Sequence, residues 1–252
     1  NKLLKKNIMI DLSADFRLKN PKIYNKYYGI KHKSLDNLKK SVYGLSEINK
    51  KNLSKAKIIA CPGCYPTSIL LPLFPLIKKN LIDFKNIIID SKSGFSGAGR
   101  GVHKKFKNKN LYGSTSAYGI GSHRHNAEIQ QELSYIKKSI EFTFTPHILP
   151  MFRGILSTIY LNYKSKANLN KIYNELRRFY MNHKFIKILK NKALSTNDVI
   201  NTNNCQISVC KSKDKKKLII LSSIDNLIKG GAGQAVQNLN LIFNFKFNEG
   251  LK

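Results

Sequence analysis

Apolar and polar positions change along this chain in short blocks, and their period changes with them. Residues 7–12 form a brief apolar strand that ends in a polar loop, Asp11-Leu12-Ser13-Ala14-Asp15-Phe16-Arg17-Leu18. Residues 21–29 are rich in tyrosine and read as a short helix laid over a loop. Residues 42–48 read as a strand end turning into a helix, with Ser46 in the cap position. Residues 57–60 are a buried strand, which Pro62 and Gly63 break with a tight turn. Pro66 and Thr67 suit a helix opening, and residues 68–77 carry the apolar spacing of a buried helix.

Residues 86–90 (Asn-Ile-Ile-Ile-Asp) are a further strand, running into a Gly/Ser-rich loop over residues 91–101. Ser122 stands as a cap ahead of a helix with apolar residues at Ile129, Leu133 and Ile136. After residue 140 the period shortens. Residues 142–144 and 155–162 alternate as strands with one exposed face, joined by a proline-bracketed connection over residues 145–154. Residues 168–182 are an amphipathic helix. Residues 207–209 and 218–222 are short strands on either side of a lysine-rich loop. Gly230, Gly231 and Gly233 open a last helix whose small residues permit close packing. The helix–strand mix of the middle has the α+β pattern of one layer of helices on an antiparallel or mixed sheet. No internal repeat interrupts this order.

Composition narrows the picture. The chain has 252 residues, 42% hydrophobic, enough for one large domain or two small ones with a real core. No apolar run reaches membrane-spanning length. Four cysteines are too few to staple a chain of this size, which suits a reducing, cytoplasmic setting. The net charge of +31 raises the prospect of nucleic acid. The lysines, however, are scattered among many Asn and Ile, with tight clusters only at residues 104–109 and 211–217. A basic nucleic-acid-binding protein is therefore the weaker alternative, since no recognised nucleic-acid-binding signature accompanies the charge. A decayed, non-catalytic remnant is the other. Four of the six arginines, Arg17, Arg100, Arg124 and Arg153, fall inside motif-like stretches, where a planar fork suits carboxylate or phosphate.

The chemistry points to Cys64. It lies where a strand turns into a helix, so free backbone N–H groups and the positive end of the helix dipole favour its thiolate. The Gly/Ser loop over residues 91–101 follows a strand and can bring several N–H groups to an anion. His123 and His125 flank Arg124, with Glu128 beyond, and histidine is the usual proton carrier near neutral pH. The His-x-His spacing permits zinc, but no matching Cys/His pair follows, so no metal is expected. Cys61-Pro62-Gly63-Cys64 imitates a redox motif, but its flanking elements do not match a thioredoxin-like fold.

Read in order, the motifs are specific: residues 11–18; Val-Tyr-Gly-Leu-Ser-Glu-Ile (42–48); Pro-Gly-Cys-Tyr-Pro-Thr (62–67); Asp-Ser-Lys-Ser-Gly-Phe-Ser-Gly-Ala-Gly-Arg (90–100); His-Arg-His (123–125) with Glu128; Phe-Thr-Pro-His-Ile-Leu-Pro (144–150); Arg-Gly-Ile-Leu (153–156); and Gly-Ala-Gly-Gln-Ala-Val-Gln-Asn (231–238). Over essentially the whole chain they resemble the N-acetyl-gamma-glutamyl-phosphate reductases of arginine biosynthesis, relatives of aspartate-semialdehyde dehydrogenase. The resemblance implies an incomplete Rossmann-type doubly wound α/β domain (1–63 and 227–252) that binds NADP(H), with an inserted α+β catalytic and oligomerisation domain (64–226). It implies a cytoplasmic homo-oligomer, dimer or tetramer, acting on a small acyl phosphate and not on membrane or specific nucleic acid. Cys64 would be the nucleophile and His123 the acid/base. Arg17, Arg100, Arg153, His125 and Glu128 would serve the substrate, and Ser93, Gly94, Ser96, Gly97 and Asn238 the cofactor. The family's Gly-rich pyrophosphate turn has no counterpart ahead of Asn1, so the expectation is a fragment of a longer protein. Cys61 stands where the family usually has Asn, Ala127 where it has Pro, and Tyr27 where it has Trp.

Overall fold

The computed structural model describes residues 3–98, 112–164 and 167–252 of the chain. Its strands fall into two sheets. In the first, β1 (Met9–Asp11), β2 (Val42–Tyr43) and β3 (Ile58–Ala60) run parallel in the order β1-β3-β2. Parallel neighbours need crossover segments. These are supplied by α1 (Pro21–Tyr28), α2 (Leu35–Lys40) and α3 (Ser46–Leu53). Asn20 caps α1 through its side chain, and Gly29 ends it in the left-handed conformation that suits glycine. Ser46 is the first helical residue of α3 and not its cap, which is Leu45. The Ser46 hydroxyl instead donates to Glu47 and accepts from Gln234 and Gln237.

The chain leaves β3 into α4 (Cys64–Lys78), which is apolar on nearly every side and buried almost throughout. The helix opens at Cys64, two residues earlier than expected. Pro66 falls in the first turn, where an N–H has no intrahelical partner to lose.

The second sheet is mixed and has the order β5-β6-β4-β7-β10-β9-β8. Its members are β4 (Ile87–Gly94), β5 (Ser116–Ala117), β6 (Phe142–Leu149), β7 (Ile155–Asn162), β8 (Ile186–Lys190), β9 (Cys205–Lys211) and β10 (Lys217–Ile224). Two corrections follow. Residues 91–94 continue β4 and are not loop. Ser91 is satisfied inside the core by Ser157 on β7, and a Cβ on Gly94 would stand 2.4 Å from the Phe152 carbonyl oxygen. Likewise β6 continues through Pro146 and His147, because the backbone pairs in parallel with β4 from Phe142 to Leu149.

One face of this sheet carries α4, α5 (His125–Ser134) and α6 (Leu169–Tyr180). Asn168 caps α6, and Ile172, Leu176 and Tyr180 recur on its buried stripe. The Tyr180 hydroxyl donates to the Leu71 carbonyl and ties α6 to α4. The opposite face carries Ile88 and Tyr160, 49% and 39% exposed, beside an ionic group in which Asp90 meets Lys92 at 2.8 Å and His147 at 3.0 Å. The chain finally returns through a π-turn (Ile228–Ala232) into α7 (Gly233–Ile242), which packs on α3 and β1. The glycines of this segment therefore shape a π-turn, and the α-helix starts only at Gly233.

Candidate active site

The bend between β3 and α4 is held from three directions. Cys61 N–H donates to the Asp11 carbonyl, and the Cys61 carbonyl accepts from Arg17 Nε at 2.7 Å. Gly63 N–H donates to Glu128 Oε1 at 2.8 Å. The same oxygen accepts from the Tyr43 hydroxyl at 2.7 Å, while Glu128 Oε2 lies 3.5 Å from Arg17 Nη1. Arg17, Tyr43, Cys61 and Glu128 are all buried, so Glu128 is an anchor for the bend and not a carboxylate free to meet solutes. Arg17 also spends a donor on the Leu12 carbonyl. Both residues, expected to serve the substrate, are bound to the protein itself.

Glycine is required at position 63 for space. A Cβ there would stand 2.4 Å from His125 Nε2. His125 is the first residue of α5, and Arg124, not Ser122, precedes the helix as its cap. Ser122 instead belongs to the turn below it, donating to the Gly119 carbonyl. Burial, with His123, Arg17 and Arg124 nearby, pushes His125 well below the usual imidazole range, so it is neutral at physiological pH. Its Nδ1 is buried without a hydrogen-bond partner among the described residues.

His123 lies in a ring of aromatic edges. Tyr118, Tyr65 and Phe144 approach it at centroid distances of 5.3, 5.6 and 5.6 Å, and His125 at 4.8 Å. Tyr65 follows Cys64 directly in α4, so the two histidines and the cysteine share one locale. The Tyr118 hydroxyl donates to Tyr65, which donates to the His147 carbonyl.

Cys64 corrects one expectation. A helix N-terminus favours the thiolate, but burial outweighs it and pushes the thiol up to about 11, although the Tyr65 N–H and Arg17 pull the other way. Cys61, buried beside Asn238, is also pushed up to about 11 by burial. Opposite Cys64 lies Gly230 of the π-turn, where a Cβ would stand 2.7 Å from the Cys64 Cβ. No disulfide links the four cysteines, and among the described residues no cluster of His, Cys, Asp and Glu is built to hold a metal.

Ser93, Gly94, Ser96 and Gly97 gather at the end of β4. Ser93 donates to the Gly94 carbonyl, and Ser96 accepts from Asn226 at 2.9 Å. Asn238 is fully buried and donates to the Gly44 carbonyl and to Cys61 Sγ. Arg153 adjoins them, since a Cβ on Gly94 would stand 2.8 Å from its backbone nitrogen, and its side chain donates to Asn201 and Asp225 while remaining partly exposed. Arg100 lies outside the described residues. Sequence reasoning missed Tyr43, Tyr65, Tyr118, Asn226 and Gly230 as parts of this locale. Each except Tyr118 and Asn226 stood within a quoted motif or beside one, but nothing in one dimension tells a packing tyrosine from one that frames a histidine.

Residues 64–226 match the family described as semialdehyde dehydrogenase, dimerisation domain. An N-acetyl-gamma-glutamyl-phosphate reductase of Campylobacter jejuni subsp. doylei is 47% identical over 99% of this chain and 74% of its own length. Reductases of the same name from Clostridium botulinum and Ehrlichia canis are 46% and 42% identical, over 99% and 94% of this chain and 74% and 69% of their own lengths. Among solved structures, aspartate semialdehyde dehydrogenase II from Vibrio cholerae superposes with a TM-score of 0.64 at 15% identity, over 84% of this chain and 70% of that one, a likeness of fold. With this identity sustained along nearly its whole length, the chain belongs to the N-acetyl-gamma-glutamyl-phosphate reductase family, oxidoreductases of the semialdehyde dehydrogenase type.

Proposed function

We propose that this chain reduces N-acetyl-L-glutamyl 5-phosphate to N-acetyl-L-glutamate 5-semialdehyde with release of phosphate, a step of arginine biosynthesis, using NADPH and a thioester on Cys64. The observation that carries this is the anchored bend. Glu128 holds the Gly63 N–H, so the thiol of the next residue stands in one locale with two imidazoles.

The raised thiol makes a base necessary. At neutral pH a thiol held at about 11 is almost wholly protonated, so its proton must leave as the sulfur attacks. His123 takes that proton, and Sγ bonds to the acyl carbon. The carbon–oxygen bond to phosphate breaks, and phosphate leaves with the proton from His123. NADPH, when bound, would supply the hydride that the thioester carbon needs. The carbon–sulfur bond then breaks to leave the aldehyde, and His123 returns a solvent proton to the sulfur. General acid–base help of this kind is worth roughly 10²–10⁴-fold. His125, kept neutral, backs Gly63 and is the lesser candidate for proton transfer.

Several residues would suit the cofactor. Asn238 Oδ1 and Gln234 Oε1 are buried acceptors with no hydrogen-bond partner among the described residues, close to Gly44, which both side-chain amides contact. Unpaired buried acceptors beside the cysteine bend suit the N–H groups of a carboxamide. Ser93, Gly94, Ser96 and Gly97 would line the same end. Arg153, with part of its fork exposed, and Arg100 would hold the substrate's anionic groups. Arg17, His125 and Glu128 would act on the substrate only through the bend they fix.

We assign residues 1–63 and 227–252 to part of the NADP-binding domain, and residues 64–226 to catalysis and oligomerisation. The division between the two sheets supports this. The half-exposed sheet face around Ile88 and Tyr160 would meet a second copy in a dimer, from which a tetramer could be built. No helix among the described residues is long and apolar enough to cross a membrane, and the enzyme would work in the cytoplasm.

The test is phosphate-dependent reduction of NADP by N-acetylglutamate semialdehyde, with Cys64→Ser as control. Turnover lost in Cys64→Ser supports the reading; turnover kept in that variant overturns it.

A further inference from the structure

A fully buried pair of opposite charges lies outside the anchored bend. Lys229 and Glu47 are both fully buried, and the ammonium donates to Glu47 Oε1 and, at 2.6 Å, to Gln237 Oε1. Gln237 in turn donates to Glu47 at 3.0 Å and to Ser46 at 3.2 Å, and it accepts from Asn203 at 2.6 Å. Four pieces of backbone meet here: the start of α3, the π-turn, α7 and the segment before β9. A charge this deep is costly to remove from water and is held only with partners in good geometry.

Lys229 sits inside the π-turn, immediately before Gly230. That turn is irregular. Gly230 N–H reaches back to the Asp225 carbonyl and Ala232 N–H to the Leu227 carbonyl, while Gly231 departs from helical geometry at φ −158° and ψ −105°. The regular ladder of α7 begins only after the turn, at Gly233, so the turn itself is held by these longer-range backbone bonds and by its side-chain contacts. Next to the lysine, Gly230 approaches Cys64 so closely that a Cβ would stand 2.7 Å from the Cys64 Cβ and 3.0 Å from its Cα.

Resting on the assignment of Cys64 as nucleophile, we infer that the Lys229–Glu47 pair is a positioning clamp for that cysteine. The clamp fixes the π-turn, the π-turn seats Gly230 against Cys64, and the thiol is thereby confined to one orientation facing the histidines. Lys229 touches no reacting atom in this scheme and acts through the backbone of Gly230. Its charge is neutralised by Glu47, so its effect on the sulfur is steric.

The experiment compares Lys229→Met/Glu47→Leu with the unaltered protein. This double change removes both charges together and leaves neither unpaired, so the fold has the best chance of surviving. Iodoacetamide labelling is followed at each cysteine by peptide mass spectrometry. The clamp predicts that labelling of Cys64 changes by about fivefold or more while partly exposed Cys210 and buried Cys61 and Cys205 keep their rates. It also predicts a fall in kcat with little change in KM. A general loosening would raise labelling at Cys61 and Cys205 as well, and that outcome overturns the proposal, as does unchanged labelling of Cys64 in a folded variant. Should the double variant not fold, Glu47→Gln, which keeps an acceptor for Lys229, is read in the same way. If Cys64→Ser retains turnover, the nucleophile assignment fails, while the labelling comparison still reports whether the clamp positions the thiol.

Discussion

Glu128 Oε1 accepts the backbone N–H of Gly63 at 2.8 Å, across 65 residues of sequence, and so binds the first turn of α5 to the bend that presents Cys64. Arg17 meets the other carboxylate oxygen and the Cys61 carbonyl. Position and charge at the bend thus depend on one buried carboxylate.

Glu128→Ala leaves the Arg17 guanidinium and the Gly63 N–H without their acceptor. Loss of one partner from a buried ion pair costs about 3–5 kcal/mol, and urea denaturation should show a loss of that order. Glu128→Gln keeps an oxygen for Gly63 and should cost less than half as much. Equal stability for the Ala variant and the unaltered protein would refute the anchor.

Gly63→Ala tests space at the same bend. Its Cβ would meet the His125 ring, which is itself backed by Tyr65 at 5.9 Å. Overpacking of this kind costs about 1–3 kcal/mol. Turnover should fall more than stability, because the displaced ring adjoins His123. Kinetics and thermal melting on one preparation check this, and a fully active Gly63→Ala protein would be the contrary result.

His123→Gln should lower kcat by about 10²–10⁴-fold with KM nearly unchanged, the mark of a lost proton carrier. His125→Gln should do less, since burial already keeps that imidazole neutral. A larger loss in kcat for His125→Gln would reverse the assignment.

Thiol reactivity supplies a pH test. With Cys64 pushed up to about 11, its alkylation in the absence of ligands should keep climbing, about tenfold per pH unit, from neutral to pH 10. A plateau by pH 8 would show a thiolate already formed. Cys61, at about 11, and Cys205, at about 12, are raised as well. The folded state holds these protons more tightly than the unfolded one. Their stabilisation is therefore whole below the ordinary thiol range and lost as pH rises through 11 to 12.

Glu132 gives the same sign at lower pH. Burial, aided by Glu128, pushes it up to about 7 against the pull of Gln131 and Lys19. Its contribution is complete below the ordinary carboxylate range and disappears as pH rises through 7. Glu132→Gln should therefore stabilise the protein at pH 8 by about 1–2 kcal/mol, allowing for its partial exposure, and by much less at pH 4. Chemical denaturation at the two pH values measures the difference.

Sequence alone determined the order of the elements, the two kinds of layer and the family. Period and turn chemistry are local properties, and the motifs keep their spacing whatever the fold does with them. It also showed the +31 charge to be dispersed and so a poor guide to partners. The extent of β4 and β6 escaped it, because serine, proline and glycine look like loop until a neighbouring strand satisfies their backbone. Only the tertiary structure decided what the polar motif residues do. Arg17 and Glu128 have the composition of ligand-binding groups, yet they are consumed by partners far away in sequence. The sign of the Cys64 shift was likewise decided in three dimensions. A helix N-terminus can be read from spacing, whereas desolvation depends on everything packed around the sulfur, and here desolvation is the larger effect.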